Sequence, residues 1–298
     1  CLVPYPNDFY TEPAADTDTG RRLRFDRESM PANAAGVHID PTEWTRNDGF
    51  SPSSSMIALF PGVVLESSNL PDSAHIADSL DDEAGAVVFD LATGEKQAFW
   101  AELDAQTDDA SAQLLFLRPA ELFEEGHTYG VALRGLRDSA DALLAAPDGF
   151  VTIRDRAFSS DRLFPRAEAL DQVLDAADEQ FGWERDEVQL AWSFTVASER
   201  NLSERMLAMR DAALKQVDAT TPAFTVDPPA DEPAADGLAD GGILRVVTGT
   251  FEVPNFLTGK GEPGSALNNG SGPDANPIPQ QNGTFQAPFT CVIPRVAL

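Results

Sequence analysis

Two cysteines, three histidines and a large excess of carboxylates are the groups in this chain with chemistry to offer. The cysteines stand at Cys1 and Cys291 and bracket nearly all of the 298 residues. A leading cysteine is what signal-peptide removal leaves on a bacterial lipoprotein, where the thiol carries lipid. The other reading is a Cys1–Cys291 disulfide. Closing so long a loop stabilises by about 5 kcal/mol in the chain-entropy description. Both are the chemistry of an exported chain, and no initiator methionine precedes Cys1.

Hydrolytic chemistry finds little support. A serine hydrolase needs a nucleophile on a sharp elbow, commonly Gly-x-Ser-x-Gly, with a histidine base and a carboxylate. That elbow does not occur, and Gly270-Ser271-Gly272 lies in a Gly/Asn/Pro-rich stretch with no strand leading in. His38, His75 and His127 are far apart, and His127 reads as a turn residue beside a strand. With two cysteines at opposite ends, a Cys/His zinc site is not expected. Nor is there a phosphate-binding glycine loop. No catalytic, cofactor-binding or metal-ligating residue is therefore assigned. A structural calcium ion is the one cofactor with any footing. Asp16-Thr17-Asp18-Thr19-Gly20 and Asp236-Gly237-Leu238-Ala239-Asp240-Gly241 place paired carboxylates on tight turns. Both lack the twelve-residue ligand set with its terminal glutamate, so plain acidic turns explain them as well.

Charge narrows the partners. Asp plus Glu number 49 against 21 Lys plus Arg, a net charge of −28. Such a surface repels phosphate backbones, and nucleic acid is excluded as an expected partner. No apolar run approaches the 18 or more residues of a transmembrane helix.

The elements that must position these groups are mainly β, α+β overall. Residues 1–50 are broken by prolines and glycines and read as an extended N-terminal arm packed over the later domains. Residues 51–157 carry short strands with turns between them. These are Met56 to Phe60, Ala86 to Asp90, a return strand Gln97 to Glu102, Leu114 to Leu117, the alternating Tyr129, Val131 and Leu133, and a closing Phe150 to Ile153. That pattern predicts a β-sandwich. Residues 158–221 read as helix–strand–helix. Ala167, Leu170, Leu174, Ala177 and Phe181 share one helix face, with Pro165 at its start and Gly182 as its stop. Val188, Leu190, Trp192, Phe194 and Val196 alternate on a strand. A second helix is expected after Asn201, with Glu204 completing a capping box and Leu202, Met206, Met209 and Ala213 on its apolar face. Residues 222–298 form a loop-rich β region: a Pro/Asp/Ala/Gly linker to 242, a strand from Ile243 to Val253, and a last strand. On that strand Phe285, Ala287, Phe289, Cys291 and Ile293 alternate, so Cys291 is expected on a packed apolar face.

Two resemblances add to these readings. Leu117-Arg118-Pro119, Glu125-Gly126-His127-Thr128-Tyr129, the strand to Leu136 and Arg137-Asp138 resemble a bacterial immunoglobulin-like domain. More widely, Cys1-Leu2-Val3-Pro4-Tyr5-Pro6-Asn7-Asp8, Asp48-Gly49-Phe50-Ser51-Pro52, Leu190 to Ser198 and Phe289 to Arg295 resemble the N-terminal, non-catalytic region of exported bacterial lipase-like proteins. That resemblance implies an accessory region ahead of an α/β-hydrolase domain, with the native gene continuing beyond Leu298. It also tilts the cysteines toward the Cys1–Cys291 bridge over a lipid anchor, leaving both open. The expected location is the outer surface of a bacterium, and the expected partner is the downstream hydrolase domain. The competing reading is a structural or adhesive surface protein whose partners are other copies at the cell surface.

Overall fold

The computed structural model describes residues 3–228, 243–270 and 277–294. It is a mixed α+β chain built on antiparallel sheets, divided into two compact units, Cys1–Leu202 and Ser203–Leu298.

The first unit opens with a small ladder, β1 (Thr11–Pro13) against β2 (Arg21–Leu23). Its strands are then β3 (Met56–Leu59), β4 (Ala86–Asp90), β5 (Phe99–Leu103), β6 (Leu114–Pro119), β7 (Thr128–Arg134) and β8 (Val188–Thr195). They form two three-stranded antiparallel sheets, in the orders β3-β6-β5 and β4-β7-β8. One hydrophobic core joins both sheets, with Met56, Phe89, Phe99, Leu115, Val131 and Phe194 fully buried in it. The strand expected at Gln97 to Glu102 is present as β5, but it does not return alongside β4. It pairs with β6 in the other sheet, and only the Phe89–Lys96 bridge links the two ends of that turn.

Between β7 and β8 lie two helices, α1 (Asp148–Arg154) and α2 (Phe164–Phe181). The first corrects the expected strand Phe150 to Ile153. The β-branched run Val151-Thr152-Ile153 suits a strand locally, yet burying Phe150 and Ile153, three residues apart, requires a helix face. Helix α2 follows its apolar period, burying Ala167, Leu170, Val173, Leu174 and Ala177 against β8 and β7. Gly182 ends it in the left-handed conformation, φ 67°, which a residue without Cβ adopts freely. Strand β8 is buried along its whole length, so alternation of type does not mean one wet face here. Gln189, on the face opposite Leu190, is satisfied by the backbone of Leu136 and Leu144.

The arm completes both sheets. Tyr5 bridges Ile57 of β3 antiparallel, with Tyr5 N donating to Ile57 O at 3.0 Å. Phe50 bridges Val196 in parallel, just past β8, with Phe50 N donating to Thr195 O at 2.9 Å. Gly49 is needed at that crossing, because a Cβ there would stand 2.5 Å from Ala197 N. The sheet β4-β7-β8 therefore runs across the boundary expected at 157/158.

Helix α3 (Glu199–Ala219) starts earlier than the expected Asn201, and the unit boundary falls inside it. Its cap is Ser198, whose Oγ accepts from Asn201 N at 3.1 Å. None of its described residues is fully buried: of the expected apolar face, Leu202 and Met206 are exposed and Met209 and Ala213 half-buried.

The second unit holds β9 (Phe224–Val226), β10 (Ile243–Pro254) and β11 (Thr284–Pro294) in the order β11-β10-β9. Asn255, buried, ties the end of β10 to its loops through bonds to Leu257, Gly259 and Asn282. Cys291 faces Val247 across the ladder and is a free, exposed thiol, which corrects the expected packed position. Among the described residues no helix packs closely along this sheet, and its residues are at most half-buried on the face of Cys291. Ala287, Phe289 and Ile293 are half-buried, while Phe285 and Cys291 remain open. Cys1, its expected partner, lies outside the described residues. Among the described residues no helix is long and apolar enough to cross a membrane.

Candidate functional site

The groups singled out by residue type do not converge. His38 Nδ1 lies 2.6 Å from Met30 O, and His75 pairs with Asp72 on the surface. His127 is held between Asp90, through Nδ1, and Glu124, 3.3 Å from Nε2. This resembles the base–orienter half of a triad, but the outer nitrogen meets a carboxylate instead of a nucleophile. Burial pushes the Asp90 pKa up, yet bonds from His127 and from Thr93 and Ala92 N–H outweigh it and leave the pKa lowered. In the first acidic turn Asp16 is bound to Arg22 and Asp18 to Arg200, at 2.8 and 2.9 Å. The second acidic turn and Ser271 lie outside the described residues. Among the described residues no three His, Cys, Asp or Glu side chains group to hold a metal.

A different site emerges where the arm, α1, the start of α2 and the edge of β8 meet. They enclose a cleft of about 660 Å³, within the usual range of about 300–1,000 Å³ for small-molecule sites. Leu59, Phe150, Ile153, Leu170 and Leu190 give it an apolar floor. Two fixtures hold the arm in place along one side. Trp192 Nε1 donates to Pro6 O at 2.7 Å, and Asp8 accepts from Thr195 N at 2.8 Å and Thr195 Oγ1 at 2.9 Å.

The charged residues lining the cleft are Asp8, Arg21, Arg162 and Arg166, three positive and one negative, a local balance of +2. The whole chain carries −28. Arg21 Nε stands 3.7 Å from Asp8. Arg166, half-buried, lies over the Phe9 ring with its guanidinium 4.4 Å from the centroid. Burial pulls its pKa down, opposed by Tyr10. Among the described residues neither Arg162 nor Arg166 pairs with a carboxylate.

Comparison with protein-family models, curated proteins and solved structures finds no match. The site is therefore read from its own geometry.

Thr195 turns its N–H to Asp8 and its carbonyl to Phe50, away from β7. Because alternate residues of an antiparallel ladder face alternate sides, Ser193 and Ala191 also point their backbone groups outward, along the cleft. Ser193 Oγ and Asn7 Nδ2, on residues each 8% exposed, make no hydrogen bond to protein among the described residues. Such groups can orient and hold a ligand. No histidine is among the described residues lining the cleft, and its one carboxylate, Asp8, is engaged by Thr195 and Arg21.

The sequence marked several of these residues as core or motif positions, such as Asn7-Asp8, Leu170 and Trp192, but none as a binding group. One signal was there to find. Arg166 stands in the first turn of α2, which holds no acidic residue, and Arg162 lies four residues before it in the short turn Asp161–Leu163. Helix starts favour acids, and this chain has acids to spare.

Asp8 has a measurable signature. Burial raises its pKa above the ordinary value of 3.8, the largest effect, while Arg21 and the Thr195 bonds pull it back in part. A raised native pKa means that the folded state holds the proton longer than the unfolded one. Its contribution is then favourable below the unfolded value and is lost as pH rises through the folded value. The unfolding free energy of the wild type minus that of Asp8→Asn is expected to fall as pH rises above about 4, the ordinary carboxylate value. Urea titrations at several pH values measure it, and a difference that grows with pH contradicts the assignment.

Proposed function

We propose that this chain is an exported, non-catalytic β-rich module of a bacterial cell surface, the accessory region preceding a lipase- or esterase-like hydrolase domain. The observation that carries the non-catalytic part is the cleft, which has arginines, hydroxyl and amide groups over an apolar floor, no histidine among its described lining residues, and a single carboxylate, Asp8, engaged by Thr195 and Arg21. A site of that kind binds instead of reacting. The hydrolase part rests on the sequence resemblance, and two of its motifs have a physical role. Pro6 and Asp8 clasp β8 at Trp192 and Thr195, while Asp48, Gly49 and Phe50 clasp its end at Val196 to Ser198.

The scaffold we read as an immunoglobulin-like sandwich. In such folds one sheet holds strands A, B, E and D and the other C, F and G. Taking β3 to β8 as B to G gives B-E-D and C-F-G, the observed orders. The arm at Tyr5 then lies beside B, where strand A belongs. Tyr129, at the start of strand F, accepts from Glu124 N at 3.0 Å, the bond of a tyrosine corner. The helices α1 and α2 are then an insertion between F and G, and the cleft lies against that insertion.

Incubated with short- and long-chain p-nitrophenyl esters, the chain is expected to give no turnover. Hydrolysis abolished by a serine-directed inhibitor overturns the reading. Gene sequence past Leu298 is expected to encode a Gly-x-Ser-x-Gly elbow, and a stop codon there removes the hydrolase.

A further inference from the structure

We propose that the cleft between the arm, α1, α2 and the edge of β8 binds the carboxylate form of an acyl chain, a free fatty acid. This deepens the reading of the cleft as a binding site and rests on it. Three independent observations support it. The first is charge complementarity. In a chain with more than twice as many acids as bases, Arg162 and Arg166 face the cleft without a carboxylate partner among the described residues. An arginine fork matches a carboxylate geometrically and bonds it strongly. The second is the pair of polar groups already set in the wall, Asn7 Nδ2 and Ser193 Oγ. Their residues are more than nine-tenths buried and line the cleft, and neither group has a protein partner among the described residues. The third is the floor of Leu59, Phe150, Ile153 and Leu170, which offers nothing to a polar ligand body and suits methylenes.

The Arg166 guanidinium lies over the Phe9 ring, a contact that favours one position for it. The more exposed Arg162 lies four residues before it. The apolar tail runs from there over the floor, beside the outward-facing backbone of Ser193 and Ala191. In a molecule of charge −28 the site needs close contact, since long-range attraction works against an anion.

The test is calorimetric titration of the whole chain with saturated carboxylates of rising length, with matched alcohols, alkylammonium ions and alkyl phosphates as controls. Affinity for the carboxylates is expected to tighten about three- to fourfold per methylene, with the alcohol at least tenfold weaker and the ammonium silent. Arg166→Gln is expected to weaken the carboxylate about tenfold or more and leave the alcohol unchanged. Arg162→Gln, at an exposed position, gives a second reading should Arg166→Gln fail to fold, and is expected to weaken the carboxylate severalfold. Equal binding of alcohol and carboxylate, or carboxylate affinity unmoved by both variants, overturns the proposal. Tighter binding of the alkyl phosphate overturns the carboxylate as the head group. These outcomes are separate from ester turnover, which tests the non-catalytic reading alone.

Discussion

Phe194→Ala is expected to lower the unfolding free energy by about 4 kcal/mol, within the usual range for buried Phe-to-Ala changes. The ring is fully buried on β8. It meets Phe123 edge-on at 5.1 Å and stacks on Tyr129 at 5.9 Å, while Phe123 and Tyr129 lie 4.6 Å apart. The cost of such a truncation depends on how far the neighbours can collapse into the space. Here both are pinned. Phe123 N donates to Pro52 O at 2.9 Å, and the Tyr129 hydroxyl accepts from Glu124 N. The cavity therefore persists and adds to the lost transfer energy. Urea unfolding followed by tryptophan fluorescence measures the loss, and a value under about 1.5 kcal/mol, the scale of a mild core swap, would show that the cluster relaxes.

Asp48→Ala is expected to cost about 3 kcal/mol, through hydrogen bonds instead of volume. Asp48 is 3% exposed, and its carboxylate accepts from Ser198 N at 3.0 Å and Ser198 Oγ at 2.7 Å. Removing it leaves a buried N–H without an acceptor and frees the hydroxyl that caps α3. Asp48→Asn keeps one acceptor and is expected to lose less than half as much. A double-mutant cycle with Ser198→Ala separates the pair from the rest of the arm. Additive losses in that cycle contradict the assigned coupling.

The regular elements were legible where one local pattern had no competitor. Ala86 to Asp90 is a strand as expected, and α2 buries Ala167, Leu170, Leu174 and Ala177 on the face their spacing defines. Pairing was less legible. Nothing local says that β5 leaves its neighbour β4 for the other sheet, or that Phe150 to Ile153 prefers a helix, because both are decided by what lies across the core. Cys291 misled for the same reason. Alternation fixes which side a residue faces, and only the presence of a covering layer makes that side dry. The cleft was least legible of all. Its walls come from residues 3–21, Leu59, 147–170 and 190–193, and no window of sequence contains them together. What the sequence did hold were the fragments Asn7-Asp8, Asp48-Gly49-Phe50 and Trp192 to Ser198. Their meaning is that they touch.

The clasp between the first residues and β8 sets an order of events. Trp192 bonds Pro6, and Asp8 bonds Thr195, across separations of 186 and 187 residues. A chain made or threaded across a membrane from its N-terminus exposes the arm long before its docking strand exists. Closure of the β4-β7-β8 sheet waits for β8, so it is late and depends on contacts distant in sequence, the kind that slow folding. Until then the uncovered edges are open to neighbouring chains. The stretch Pro4 to Asp8, broken by two prolines and lying outside the β1–β2 ladder, stays available for that last step.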